Sequence, residues 1–195
     1  KEFNEKHPQI KVQVTIDNSE EIEKKVIKNE VDFGLIEGIP HSNQIRKKKF
    51  RKDKLVLICG KDHPLSKINE IELEELIKYD FILREKGSGS RELFDSTMLI
   101  HNIKIKPMGE SISTRAIIQS VIRGLGLSVV PYLLVKGDIE KGNIHLINIK
   151  EIVFNRDFYI IHHKNKYLSD FAIGFLSICQ KEGKNTKEDS KMEEA

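Results

Sequence analysis

Short apolar runs alternate with amphipathic stretches along most of the chain, and this alternation limits the possible folds more than any other feature. Residues 11–16 alternate apolar and polar, the pattern of a half-buried strand. Compact apolar runs at 31–37, 54–59, 79–83, 127–130, 144–149 and 154–162 are bounded by turn residues and read as further strands. Between them lie helical patterns. Over 20–29, Ile22, Val26 and Ile27 share one side. Asn69 is placed to cap a short helix through Ile77. Gly87, Ser88, Gly89 and Ser90 open a helix running to about His101. Ser113 or Thr114 caps one through Arg123, which Gly124 and Gly126 stop. Over 168–179, Phe171, Phe175, Leu176 and Cys179 form the apolar face of a last helix. Strands alternating with helices predict an α/β fold with largely parallel sheets.

A chain of 195 residues allows one large domain or two small lobes. Hydrophobic residues make up 38% and charged residues 32%, a globular balance, and no apolar run is long enough to span a membrane as a helix. The first residues, Lys1 to Lys6, are polar and lead into no apolar signal segment. Cys59 and Cys179 show no pairing pattern, which suits a reducing, cytoplasmic setting. Lys and Arg number 33 against 30 for Asp and Glu, so a nucleic-acid surface spread over the whole domain is not expected. Over 182–195 hydrophobes almost vanish, and this tail is expected to be disordered.

Nothing nominates catalysis. Cys59 and His63 lack a second Cys/His pair at finger spacing, and His162 and His163 would point to opposite faces of a strand. No nucleophile elbow, no phosphate-binding Gly-Lys-Ser/Thr loop and no complete dinucleotide fingerprint is present. The expectation is a non-enzyme without metal or cofactor. Two strand-to-helix junctions are more informative. One runs through Arg84, Gly87, Ser88, Gly89, Ser90 and Arg91, the other through Glu110, Ser111, Ser113, Thr114 and Arg115. Small residues let backbone N–H groups approach a ligand, hydroxyls add donors, and the helix dipole favours an anion. A capping role is the ordinary alternative for each serine.

In order along the chain stand Phe3, His7 and Pro8; Asp32, Phe33, Gly34, Glu37 and Gly38; Asp62, His63 and Pro64; Gly87 to Arg91; Glu110, Ser113 and Ala116; Gly124 and Gly126; and Arg156 and Phe158. With the apolar runs between them, these residues resemble the effector-binding domain of LysR-type transcriptional regulators over roughly 3–180. The resemblance implies two Rossmann-like lobes of the type II periplasmic-binding-protein fold. Lobe one would be 1–82 plus 159–181, without its N-terminal strand, and lobe two 83–158, with crossovers near 80–84 and 153–160. It implies a small anionic effector held between the lobes by Ser88, Gly89, Ser90, Arg91, Ser113 and Thr114, with Glu37 and Gly38 at the rim. It also implies a homodimer or tetramer in which the 12–16 strand of one subunit faces the 113–123 helix of another. DNA would be touched only through an N-terminal helix-turn-helix that these residues do not contain, so they are expected to bind DNA weakly and without sequence preference. A solute-binding protein of a transport system, which shares the fold, is the alternative.

Overall fold

The computed structural model describes residues 1–185, and residues 186–195 of the expected tail lie outside them. The chain divides into two compact units, one of Lys1–Lys52 with the residues from Asp157 onward, the other of Asp53–Arg156. The first passage between units therefore lies within a strand at 52/53, not near 80–84, and residues 53–82 belong to the second unit. The second passage lies at 156/157.

The second unit is built on a six-stranded arrangement. Its strands are the long β2 (Ile45–Gly60, entering from the first unit), β3 (Glu70–Ile71), β4 (Ile82–Arg84), β5 (Gly109–Ser111), β6 (Ser128–Pro131) and β7 (Ile144–Ile149). β4 pairs in parallel with β5, and a parallel bridge from Phe81 to Leu127 joins them to β6. β2 runs antiparallel to both β6 and β7, and β3 is parallel to β7. Five strands thus share one direction and β2 alone opposes them.

Both faces of this sheet are covered. Leu55, Leu57 and Cys59 of β2 join one core cluster, with Phe94 and Met98 of α3 (Gly89–Ile100). Val56 and Ile58 join the other, with Ile117, Ile118 and Val121 of α4 (Thr114–Ile122) and Val135 of α5 (Tyr132–Glu140). A period of two on a strand covered on both sides produces the unbroken apolar run at 55–59.

The first unit is smaller. β1 (Gly34–Glu37) pairs antiparallel with β8 (Phe154–His163), and β8 neighbours β2. α2 (Ser19–Ile27) packs Ile22 and Val26 against Ile36 and Ile161. Asn18 caps it, its side-chain oxygen accepting the Glu21 N–H at 3.0 Å. Helix α1 (Glu2–Lys6) meets the last helix, α6 (Asp170–Asn185), through Phe3 on Phe175. Along α6, Leu176 is buried while Phe171 is exposed, and its backbone carries the helix through 182–185, the first residues of the expected tail.

Two local expectations give way, and one helix was not expected. Residues 11–16 form no strand, and Val14 and Ile16 are 76% and 93% exposed. Alternation chooses which side faces inward, but a strand needs a ladder partner, and none of the described strands pairs there. Asn69 caps no helix. Its carbonyl accepts the Asn148 N–H at 2.8 Å, drawing 70–71 into a pairing with β7. The Leu73–Lys78 stretch then forms a 3-10 turn, where the i, i+3 pair Leu73 and Leu76 is eclipsed and buried together. α5 carries no strong signal in the sequence: it begins directly after Pro131 and contains Gly137.

Candidate anion seat at the start of α3

Because β4 and β5 are parallel neighbours, the helices that follow them start at the same edge of the sheet. This is where open α/β sheets gather ligands. α3 starts after Ser88 and α4 after Ser113.

The two serines differ. Ser113 is an ordinary cap: its Oγ accepts the Ala116 N–H at 3.2 Å, and its own N–H donates to Ser111 Oγ at 3.1 Å. Ser88 occupies the cap position of α3 but makes no capping bond, and its hydroxyl is buried without any hydrogen-bond partner among the described residues. An orphaned buried hydroxyl is costly. It stands beside the first-turn N–H groups of a 12-residue helix, which have no partner within the helix.

Beneath that turn lies a buried ionic cluster. Ser90 Oγ accepts from Arg156 Nη1 at 2.8 Å, and Arg156 donates through Nε to Asp53 at 2.8 Å. Asp53 and Arg156, each with a side chain 3% exposed, are the first and last residues of the second unit.

Arg91 does not offer its charge to a ligand. Its guanidinium is turned inward, with Nε on Asp95 at 2.8 Å and Nη1 on Glu110 and the Arg84 carbonyl at 2.8 and 2.9 Å. Burial disfavours its charge, but the hydrogen bonds to Glu110 and Asp95 outweigh that and hold its pKa above the usual arginine value. Thr114 Oγ1 accepts from Arg84 Nη1 at 3.0 Å, while the rest of the Arg84 guanidinium grips Glu85. Arg84 therefore ties the two helix starts together, touching Thr114 with its side chain and Arg91 with its carbonyl. The sequence placed it at the head of that junction, but not as a tie between the two helix starts.

Gly89 has no side chain to screen the first N–H groups. Glu37 and Gly38 belong to the first unit, at the end of β1. There Ser19 Oγ donates to the Glu37 carbonyl and accepts the Glu37 N–H, at 3.0 and 3.2 Å, and the Gly38 N–H donates to the Asp157 carbonyl at 3.1 Å. Gly38 has φ +80°, a turn conformation that favours glycine. The Ser19 hydroxyl pins the start of α2 to β1.

Burial pushes the Cys59 thiol up to about 11, and burial also lowers the pKa of His63, whose Nδ1 accepts the Leu65 N–H at 3.1 Å. Among the described residues no cluster of His, Cys, Asp or Glu could hold a metal ion. No described helix is long and apolar enough to cross a membrane.

A two-unit α/β chain with two helix starts gathered at one sheet edge is a ligand-binding architecture. The LysR substrate binding domain profile matches residues 1–184, and the chain belongs to that family. It is 30% identical over 177 residues to the uncharacterized HTH-type transcriptional regulator YeiE of Escherichia coli, covering 91% of this chain and 60% of that one. It is 30% identical over 175 residues to the HTH-type transcriptional activator CmpR of Synechocystis, covering 90% and 58%. The chain thus spans about three fifths of the length of these curated relatives. Among solved structures, the Synechocystis CcmR regulatory domain in complex with 2-PG superposes with a TM-score of 0.84 and 29% identity, covering 95% of this chain and 89% of that one. The effector-binding domain of QuiR, at 22% identity and a TM-score of 0.79, shares the fold.

Proposed function

We propose that the chain is the effector-sensing part of a DNA-binding transcriptional regulator and that it seats a small anion at the start of α3. The observation that carries this is Ser88, a cap residue that leaves its helix uncapped and its buried hydroxyl without a partner. A carboxylate or phosphoryl oxygen would accept from that hydroxyl and from the first-turn N–H groups of Gly89 and Arg91. The three nearby arginines all have carboxylate partners: Arg84 holds Glu85, Arg91 holds Asp95 and Glu110, and Arg156 holds Asp53. Attraction therefore comes from the helix dipole and directed donors, about 0.3–1 kcal/mol at an exposed helix end and up to ~2 when partly buried. The 2-PG of the CcmR complex, 2-phosphoglycolate, is an anion of this class and supports the choice. Thr114 and Ser113 stand at the neighbouring helix start as further contacts.

A ligand can switch a regulator only if it binds one arrangement of the protein better than another. The regulator is read as a cytoplasmic homodimer or tetramer that meets DNA through an N-terminal helix-turn-helix. Calorimetric titration of this chain with 2-phosphoglycolate, sulfate and simple carboxylates tests the seat. Ser88→Ala is expected to weaken the binding anion by about 1–3 kcal/mol, the value of a charged hydrogen bond. Ser88→Asp is expected to weaken it further, by placing like charge in the seat. Equal affinity of all three proteins for every anion that binds would remove the seat from α3.

A further inference from the structure

We propose that the N-terminal half of β2 is a docking edge for the phosphate backbone of duplex nucleic acid. Between Ile45 and Lys54 stand seven basic residues, Arg46, Lys47, Lys48, Lys49, Arg51, Lys52 and Lys54, and one acid, Asp53. Asp53 is buried and engaged by Arg156, so it does not offset the row. Arg46, Lys47, Lys48, Lys49 and Lys52 are exposed. Pairing of β2 with β6 and β7 begins at Leu55 and Leu57, so ahead of these residues its neighbour in the sheet is β8.

The row is neutralised in part. Lys49 is paired with Asp157. Lys47 lies over the Tyr159 ring, 5.6 Å from its centre, and Lys48 donates to Gln180 at 2.9 Å. Arg46, Lys47 and Lys48 meet no carboxylate at ion-pair distance among the described residues. Charged side chains on an edge strand, lysine above all, guard against aggregation. Here one sign is gathered into seven of ten positions of a chain whose total is only +3. Such segregation creates a local field that the net charge conceals.

Length selects the occupant. Six strand steps from Arg46 to Lys52 cover about 20 Å, far longer than a metabolite. Duplex DNA presents a charge every ~3.4 Å along each strand, so a rod of that length carries several phosphates against the row. An anionic membrane would favour apolar anchors beside the charges, but Phe50 is half-buried and packed on Phe158. The role rests on reading the chain as part of a DNA-binding regulator, while the binding itself is measured without any effector.

Fluorescence anisotropy of the intact chain with a duplex of arbitrary sequence, from about 50 to about 200 mM salt, tests it. The variant is Arg46→Gln, Lys47→Gln, Lys48→Gln; the charge-matched control is Lys104→Gln, Lys106→Gln, Lys141→Gln in the second unit. All carry exposed side chains, and thermal melts confirm that both triples stay folded. The β2 triple should bind roughly tenfold or more weakly at the low-salt end and lower the slope of log affinity on log salt by roughly 1–2, about 0.9 per contact, because Arg46 and Lys48 share one face of the strand and Lys47 the other. The control should match the parent. Equal losses in both triples overturn the proposal, as does tighter binding of the parent to anionic phospholipid vesicles than to duplex at the same salt. If strip binding holds while no anion titrates at α3, the docking edge stands and the sensing role falls.

Discussion

At the scale of single residues, Asp53 and Arg156 matter most. Their side chains are almost wholly buried, and Arg156 divides its donors between Asp53 and Ser90. Burying two charges offsets much of their mutual attraction, so the pair adds little to stability as such. Removing one partner is different, because it strands the other charge away from water. Asp53→Ala is predicted to cost about 3–5 kcal/mol in urea unfolding. Arg156→Met combined with Asp53→Leu, which removes both charges, is predicted to cost much less. Similar losses in the single and the double variant would show that the pair acts through packing alone. Ser90 then illustrates how a residue singled out for a ligand can serve the scaffold: its hydroxyl is committed to Arg156.

At the scale of elements, close approach decides where glycine is needed. Gly60 ends β2 against α4, and a Cβ there would lie 2.5 Å from the Val121 carbonyl oxygen, backbone that cannot move aside cheaply. Gly137, within α5, has open space around it. Gly60→Ala is predicted to destabilise by more than 1 kcal/mol, and Gly137→Ala to stabilise by about 0.5–1 kcal/mol; thermal melts of the two variants check the opposite signs. Elements with both a pattern and a partner were legible beforehand. The 127–130, 144–149 and 154–162 strands and the helices after Ser88 and Ser113 lie within a residue or two of their expected places. Where a partner decides, the sequence misled: 11–16 alternates without a ladder, and 69–71 pairs with β7 instead of entering a helix. The basic half of β2 has no apolar side to mark it as a strand, and the first passage between units, which the resemblance put near 80–84, lies within it at 52/53. The two helix starts were legible from Gly and Ser spacing, but which serine caps and which stays orphaned is set by tertiary contacts, as is the inward turn of Arg91 onto Glu110, 19 residues away.

At the scale of the whole molecule, the two units differ in what holds them. Two large buried clusters lie entirely within 53–156, including the rings of Phe81, Phe94 and Phe154. The corresponding cluster of the first unit is four buried residues: Ile22, Val26, Ile36 and Ile161. Buried apolar area sets most of the local resistance to opening. Amide hydrogen exchange is therefore predicted to be slowest in β6, β7 and the 55–60 half of β2, and markedly faster in β1 and α2. Uniform protection across both units would contradict that division.

The central claim is that the anion sits on the first turn of α3, in the second unit. Its most direct test is amide chemical-shift mapping of the labelled chain during titration with 2-phosphoglycolate, beside sulfate as the simpler oxyanion. The account predicts that the Gly89 and Arg91 amides shift furthest and saturate together, and that Ser88→Asp abolishes those shifts. Saturating shifts that leave this turn unmoved, or that persist unchanged in Ser88→Asp, would contradict it.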